Sequence, residues 1–174
     1  PIVVGSELEI IPSWDKESYQ SKCEKSVFIY PGRGFGTGSH ETTFLCLKLY
    51  LDVASDLGSN QSCLDFGCGS GILVIVAKLF NRNCSVDLYD IDAEALENCV
   101  QNIELNNCKE NEFKLLLPKN RKEIDKKYQV VFANILQNVL LEETNFLCHS
   151  LVKGGHLFLS GLLLGQEQEV INAY

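Results

Sequence analysis

The 174-residue chain contains no methionine, although it carries eight cysteines. No two of those cysteines stand in a C-x-x-C spacing, which removes the usual zinc and redox frameworks and leaves no metal site to expect. Cys46, Cys63, Cys84, Cys99 and Cys148 fall within apolar or periodic runs. Cysteine in such runs behaves as a small buried hydrophobe, so the thiols are expected reduced, in a cytoplasmic compartment. No secretory signal is present, and no apolar run reaches the roughly 20 residues of a membrane span. Basic runs are missing too: the net charge is −8 and the pI near 4.9. That balance weighs against direct nucleic-acid binding and suits a basic protein partner, or simply a solvated acidic face. There is no internal repeat and no low-complexity tract. With Pro1 at its start and a helix-like pattern running to Tyr174, the chain reads as a piece of a longer protein.

An apolar content of 45% fills one core, and the length suits one domain. The densest signal is Asp65-Phe66-Gly67-Cys68-Gly69-Ser70-Gly71. It follows a short strand-like run and leads into the apolar stretch from Ile72 to Phe80. Glycines at alternate positions permit a sharp strand-to-helix turn and let a ligand lie close to the main chain. The dinucleotide fingerprint needs a further glycine where this chain has Ile72, so an NAD site loses its third glycine. The pattern D-x-G-x-G-x-G instead resembles the first motif of S-adenosylmethionine-dependent methyltransferases with a Rossmann-like sheet.

Periodicity predicts a helix from His40 to Leu57, strands at Ser62–Phe66 and Cys84–Tyr89, and a helix from Ala93 to about Asn106 capped by Asp92. Further strands are expected at Glu112–Leu117, Tyr128–Ala133 and His156–Ser160, the last entered through a turn at Lys153-Gly154-Gly155. A helix should span Leu136 to Leu151, and another should start near Gly165. Lys119 to Lys127 reads as a charged surface segment with room for a helical turn. Strands alternating with helices predict an α/β fold: a doubly wound, mostly parallel sheet flanked by helices.

In such sheets a ligand lies beyond the carboxyl ends of the strands, at the point where strand order reverses. Asp90 ends the second predicted strand, 19 positions after Gly71. This is close to the spacing of an acid that binds ribose hydroxyls, although a turn-capping role suits the same position. Asn134 ends a later strand with both an acceptor and a donor, suited to orienting an amine, holding a cofactor or capping the next helix. The segment Pro31 to Thr43 has four glycines among residues 32–38, studded with Phe35, Thr37, Ser39, His40, Thr42 and Thr43. It reads as a loop closing over a ligand.

That segment is similar to the loop of the PrmA-type methyltransferases, which act on lysine side chains and the N-terminal amine of ribosomal protein L11. Leu64 to Leu73, Asp90-Ile91-Asp92, Ala133-Asn134-Ile135-Leu136 and Leu159-Ser160-Gly161-Leu162 resemble the same family, in the same order. Ile135 and Leu136 stand where the glutamine and adenine methyltransferases carry two prolines. The resemblance covers roughly Ile11 to Tyr174. It implies a Rossmann-like methyltransferase domain at 31–174 lacking its last strands, with 1–30 linking to a substrate-gripping N-terminal domain outside this chain. It implies S-adenosylmethionine as cofactor, contacted by Thr43, Asp65, Gly67, Gly69, Gly71, Asp90, Ile91 and Asn134. Asn134, Thr37, Phe35 and His40 would lie around the reacting groups. The implied activity is methyl transfer to protein amines. An amine methyltransferase with another target, or a non-catalytic cofactor-binding module, remains the alternative.

Overall fold

The computed structural model describes residues 1–32, 40–59 and 61–174. Three short strands come first: β1 (Ile2–Val4), β2 (Leu8–Pro12) and β3 (Lys25–Ile29). They form a small sheet in which β1 runs antiparallel to β2, and β2 parallel to β3. The sequence reading assigned no strands to this lead-in, because its runs are short and Glu9 interrupts the apolar pattern. Glu9 is nevertheless fully buried in β2. Its carboxylate accepts from Tyr19 Oη at 3.3 Å, Ser21 Oγ at 2.9 Å and the Lys22 amide at 3.0 Å, so it organises the long β2–β3 connection.

The chain then alternates as expected. Helix α1 (Glu41–Ala54) is followed by β4 (Ser62–Phe66), α2 (Ile72–Phe80), β5 (Ser85–Tyr89) and α3 (Ala93–Leu105). After these come β6 (Phe113–Leu116), β7 (Tyr128–Asn134), α4 (Gln137–His149), β8 (Leu151–Ser160) and α5 (Glu167–Ala173). The main sheet has the order β6-β5-β4-β7-β8, and every neighbouring pair in it is parallel. Strand order therefore reverses between β4 and β7, which makes that junction the switch point.

Alternate strand residues feed two cores, one on each face. Cys63, Val130 and Phe132 pack with α1, α2, α3 and the small sheet, whereas Leu64, Phe66, Val131 and Ala133 pack with α4 and α5. Helix α2 is buried from Ile72 to Ala77 because it lies between the main sheet and β3. Phe132 packs against Tyr50 and Phe158 at ring-centroid distances of 5.6 and 5.2 Å. Such aromatic contacts each contribute roughly 0.5–1.5 kcal/mol beyond area burial.

Two local expectations need correction. Strand β8 begins at Leu151, not His156. Lys153-Gly154-Gly155 is a bulge within the strand, since Tyr128 pairs with Leu151 but Val130 with His156. Cys148 is exposed on α4, while Cys46, Cys63, Cys68, Cys84 and Cys99 are the buried thiols. All eight cysteines are unbridged. The helical turn expected in the charged 119–127 stretch is present as a 3-10 turn, Pro118–Glu123. Arg121 pairs with Glu143 and stacks its guanidinium 4.5 Å from the Phe146 ring centroid.

Asp87 on β5 is buried and joins two other strands' neighbourhoods, accepting from Tyr128 Oη at 2.7 Å and Lys126 Nζ at 2.8 Å. Tyr128 belongs to β7, so this bond spans the intervening β4. Replacing Tyr128 with Phe removes a hydrogen bond to a charged acceptor. It should lower unfolding free energy by about 2 kcal/mol in urea titration, at unchanged denaturant slope. An unshifted midpoint would show that the strands do not rely on this bond.

Candidate functional site

The switch point is built from the residues that follow β4, β5 and β7. The glycine turn after β4 has φ angles of 84°, 52° and 76° at Gly67, Gly69 and Gly71, a region that side chains strongly disfavour. Two of these glycines are also required by space. A Cβ on Gly67 would come within 2.3 Å of Ile135 Cγ2, and one on Gly71 within 2.3 Å of Cys99 Sγ. The turn is thus wedged between the end of β7 and helix α3.

Most of its backbone donors are already used. The Gly67 and Cys68 amides donate to Tyr89 O at 2.8 and 3.1 Å, and the Gly71 amide donates to Cys68 O at 2.9 Å. The Gly69 amide donates to Asp90 Oδ2 at 2.9 Å. Asp90 Oδ1 accepts from the Asp92 amide at 3.0 Å. Asp90 therefore does serve the turn, as its capping role predicted, while its carboxylate stays at the carboxyl end of β5, where a ribose acid belongs. Beside it Ile91 is 77% exposed, an apolar side chain left open at the mouth of the sheet.

Asp65, the last residue but one of β4, is buried, and among the described residues neither of its carboxyl oxygens has a hydrogen-bond partner. Burial, and after it the neighbouring Asp90, push its carboxyl up to about 8. Asn134 ends β7 with Nδ2 donating to Thr43 Oγ1 at 3.1 Å, while its buried Oδ1 has no partner among the described residues. Thr43 is fully buried in the first turn of α1. The same turn is tied to the end of β8 by Ser160 Oγ, which donates to Thr42 O at 3.2 Å. His40 caps α1, its Nδ1 accepting from the Thr42 amide and lying 2.8 Å from Thr42 Oγ1. Phe35 and Thr37 lie outside the described residues.

The structure thus brings Thr43, Asp65, Gly67, Gly69, Gly71, Asp90, Ile91 and Asn134 to one end of the sheet, with His40 at the edge of the group. Sequence reasoning missed the steric part played by Ile135. It also missed a stripe of asparagines at positions 98 and 102 of α3 and 106 at its C-cap, whose four-residue spacing was visible. The chemistry of the site is that of an acceptor. Its unpaired buried groups are oxygens, and the turn's amides point at protein atoms instead of forming the open nest that cradles a phosphate. These residues fit a ligand that is cationic and rich in N–H and O–H donors, and carries no phosphate. S-adenosylmethionine is such a molecule, with its ammonium, its sulfonium and two ribose hydroxyls.

Fold and site together define a Rossmann-like α/β domain of the kind that binds a nucleoside-containing cofactor at its switch point. Among solved structures, the chain is similar to a ribosomal protein L11 methylase from Lactobacillus delbrueckii subsp. bulgaricus. The TM-score is 0.83 and the identity 29%, over 99% of this chain and 85% of that one. It is 41% identical to the ribosomal protein L11 methyltransferase of Chromohalobacter salexigens and equally to that of a Shewanella species, over its whole length. The family pattern described as ribosomal protein L11 methyltransferase (PrmA) matches residues 1–174, and the chain belongs to that family. It spans 56% of the Chromohalobacter protein and 57% of the Shewanella one.

The environment of Asp65 has a consequence for stability. Its folded value near 8 exceeds the ordinary value of 3.8, so the native state holds a proton that the unfolded chain releases between those limits. Its contribution is complete below about pH 4 and is lost as pH rises through about 8. Thermal unfolding of Asp65→Asn should therefore show a flatter decline over this window than the parent chain. Identical pH profiles would mean that Asp65 is not held protonated.

Proposed function

We propose that this chain forms the catalytic S-adenosylmethionine-dependent unit of a cytoplasmic protein methyltransferase, whose substrate is ribosomal protein L11. Its acceptors would be lysine side chains or the N-terminal amine. The observation that carries this reading is Asn134: Thr43 holds its amide nitrogen, which leaves its carbonyl oxygen as an unpaired acceptor at the switch point. Family membership and the similarity to a solved L11 methylase support the substrate. The acidic net charge suits a basic protein, and the unbridged cysteines suit a reducing compartment.

When bound, S-adenosylmethionine supplies an electrophilic methyl group on a sulfonium. Asp90 would hold the ribose hydroxyls with lone pairs not used by Gly69 and Asp92. Ile91 would offer the apolar surface for the base. Asp65, under the turn, would release its proton to solvent and become the acceptor for the ligand's ammonium, beside the left-handed turn at Gly67, Gly69 and Gly71. A lysine amine has a pKa near 10.4 and reaches the site mostly as an ammonium. Its nitrogen must lose a proton before it attacks in line, and a poorly solvated pocket favours the neutral form. Asn134 Oδ1 accepts a hydrogen bond from the amine and so aims the lone pair at the methyl group.

Calorimetric titration with S-adenosylmethionine, with NAD as control, tests the pocket. Saturable binding of the sulfonium alone is expected, and binding of NAD in its place would overturn the reading. In Asp90→Ala the dissociation constant should rise at least tenfold, about 1.4 kcal/mol. Unchanged affinity in a folded variant would remove the ribose role.

Asn134→Ala should reduce methylation of L11 by the full-length enzyme by about a hundredfold. Cofactor affinity should meanwhile stay within about threefold, a loss of under 1 kcal/mol. If affinity falls and turnover at saturation does not, Asn134 is a cofactor anchor only.

A further inference from the structure

Asparagine is a poor residue for a helix interior, because its side chain competes for backbone bonds. Helix α3 nevertheless carries Asn98 and Asn102 one turn apart and is followed by Asn106 at its C-cap. All three face the outer edge of β3 and the residue that follows it. Asn106 Oδ1 accepts from the Phe28 amide at 2.8 Å, and its Nδ2 donates to Phe28 O at 2.7 Å. Asn102 Oδ1 accepts from the Tyr30 amide at 2.7 Å, and its Nδ2 donates to Tyr30 O at 3.4 Å. Asn98 Nδ2 adds a 3.2 Å bond to Tyr30 O.

The geometry explains the spacing. Four helical residues advance about 6 Å, and two strand residues about 6.7 Å. A stripe of primary amides can therefore pair with alternate residues of an edge as another strand would. Gly32 continues along the stripe, since a Cβ there would come within 2.4 Å of Asn98 Nδ2.

One member of the stripe does more than close an edge. Asn102 is fully buried, and its Nδ2 also donates to Ser70 O at 3.0 Å, inside the glycine turn. Asn106 has no such link, its additional bond being to Asn102 O within the helix, at 2.8 Å. A single amide thus joins the turn to Tyr30, two residues before Gly32.

We infer that Asn102 is a positioning residue for the methyl-transfer reaction, holding the Tyr30–Gly32 segment at a set distance from the cofactor turn. Ligand binding at the turn and order at Tyr30 are thereby coupled, and the coupling is reciprocal. The inference rests on the cofactor pocket proposed above, for which Ser70 is part of the turn. Neither Asn102 nor Tyr30 belongs to the motifs through which that pocket was recognised.

The test begins with the unmodified chain, using residue-resolved amide exchange with and without saturating S-adenosylmethionine. The Tyr30 amide, bonded to Asn102, should slow by about fivefold or more, and the Phe28 amide, bonded to Asn106, by less than about twofold. Asn102→Ala and Asn106→Ala each remove a comparable pair of edge bonds and should lose similar melting temperature. Only Asn102→Ala should raise the calorimetric dissociation constant, by about tenfold, and Asn102→Asp, which keeps the acceptor but loses the donor to Ser70, should do the same. Cofactor binding with equal protection at Tyr30 and Phe28, or with no change at either, overturns the inference even if a variant fails to fold. Equal affinity losses in the Asn102 and Asn106 variants overturn it as well. Absence of any heat with the unmodified chain is a different failure: it removes the cofactor pocket, and the inference with it.

Discussion

The hydrogen bond from the Gly69 amide to the Asp90 carboxylate joins the turn after β4 to the end of β5, and the geometry of the site depends on it. A run of residues with three left-handed glycines has no side-chain preference to hold it, and glycine loses more conformational freedom on ordering than other residues do. Its shape must come from bonds made by its backbone. Those bonds converge on two neighbouring residues, Tyr89 through its carbonyl and Asp90 through its side chain. Asp90 also accepts from the Asp92 amide, so it sets the start of α3 at the same time. A carboxylate satisfied in this way is preorganised: it does not have to turn when hydroxyl donors arrive.

The same bonds decide what kind of ligand the turn can take. A glycine loop that binds phosphate keeps its amides free and pointed outward. Here most of them are consumed, and among the described residues the groups left without partners at this end of the sheet are oxygens of Asp65 and Asn134. An unpaired buried acceptor is costly, roughly 1–3 kcal/mol for each group. That cost is withdrawn when a donor-rich cation enters. The site is therefore complementary in sign to an ammonium and a sulfonium, and poorly matched to a diphosphate. The direction of the amides disfavours a dinucleotide more directly than Ile72 in place of the third glycine does.

How far this was legible in the sequence depended on how local each signal was. The alternation of strands and helices, the order of the turn, Asp90 and Asn134, and the cap at Asp92 were all readable, whereas the cap at His40 was read as the helix's first residue. Each follows from periodicity, glycine spacing or a capping residue within a few positions. The small sheet was not readable, since β1 has three residues and the buried Glu9 of β2 is tolerated only because Tyr19, Ser21 and Lys22 arrive from a distant loop. The bulge in β8 looked like a turn because Gly154 and Gly155 signal both. Cys148 was misplaced because the α4 periodicity does not say which stripe faces the core. Nothing in the motif D-x-G-x-G-x-G announced that its aspartate would be buried without partners. That property belongs to the tertiary surroundings: β4 lies between β5 and β7, with α1 above it.

Ile135 shows why these pieces act together. Its Cγ2 occupies the space that a side chain on Gly67 would need, and its carbonyl oxygen would lie 2.3 Å from a Cβ on Gly161, just beyond β8. One residue thus meets the turn after β4 and the turn after β8, while it directly follows the Asn134 that closes β7. Close packing of this sort does not deform gradually, because a shift of one methyl group in any of the three must move the others. Asn134 is consequently held from two directions, by Thr43 through its amide and by Ile135 through its backbone. Asn102 extends the same assembly outward, from Ser70 in the turn to Tyr30 at the end of the small sheet. The small sheet is thereby tied into the machinery of the site, and its burial of Glu9, its asparagine-paired edge and its packing over α2 contribute to where the cofactor turn sits.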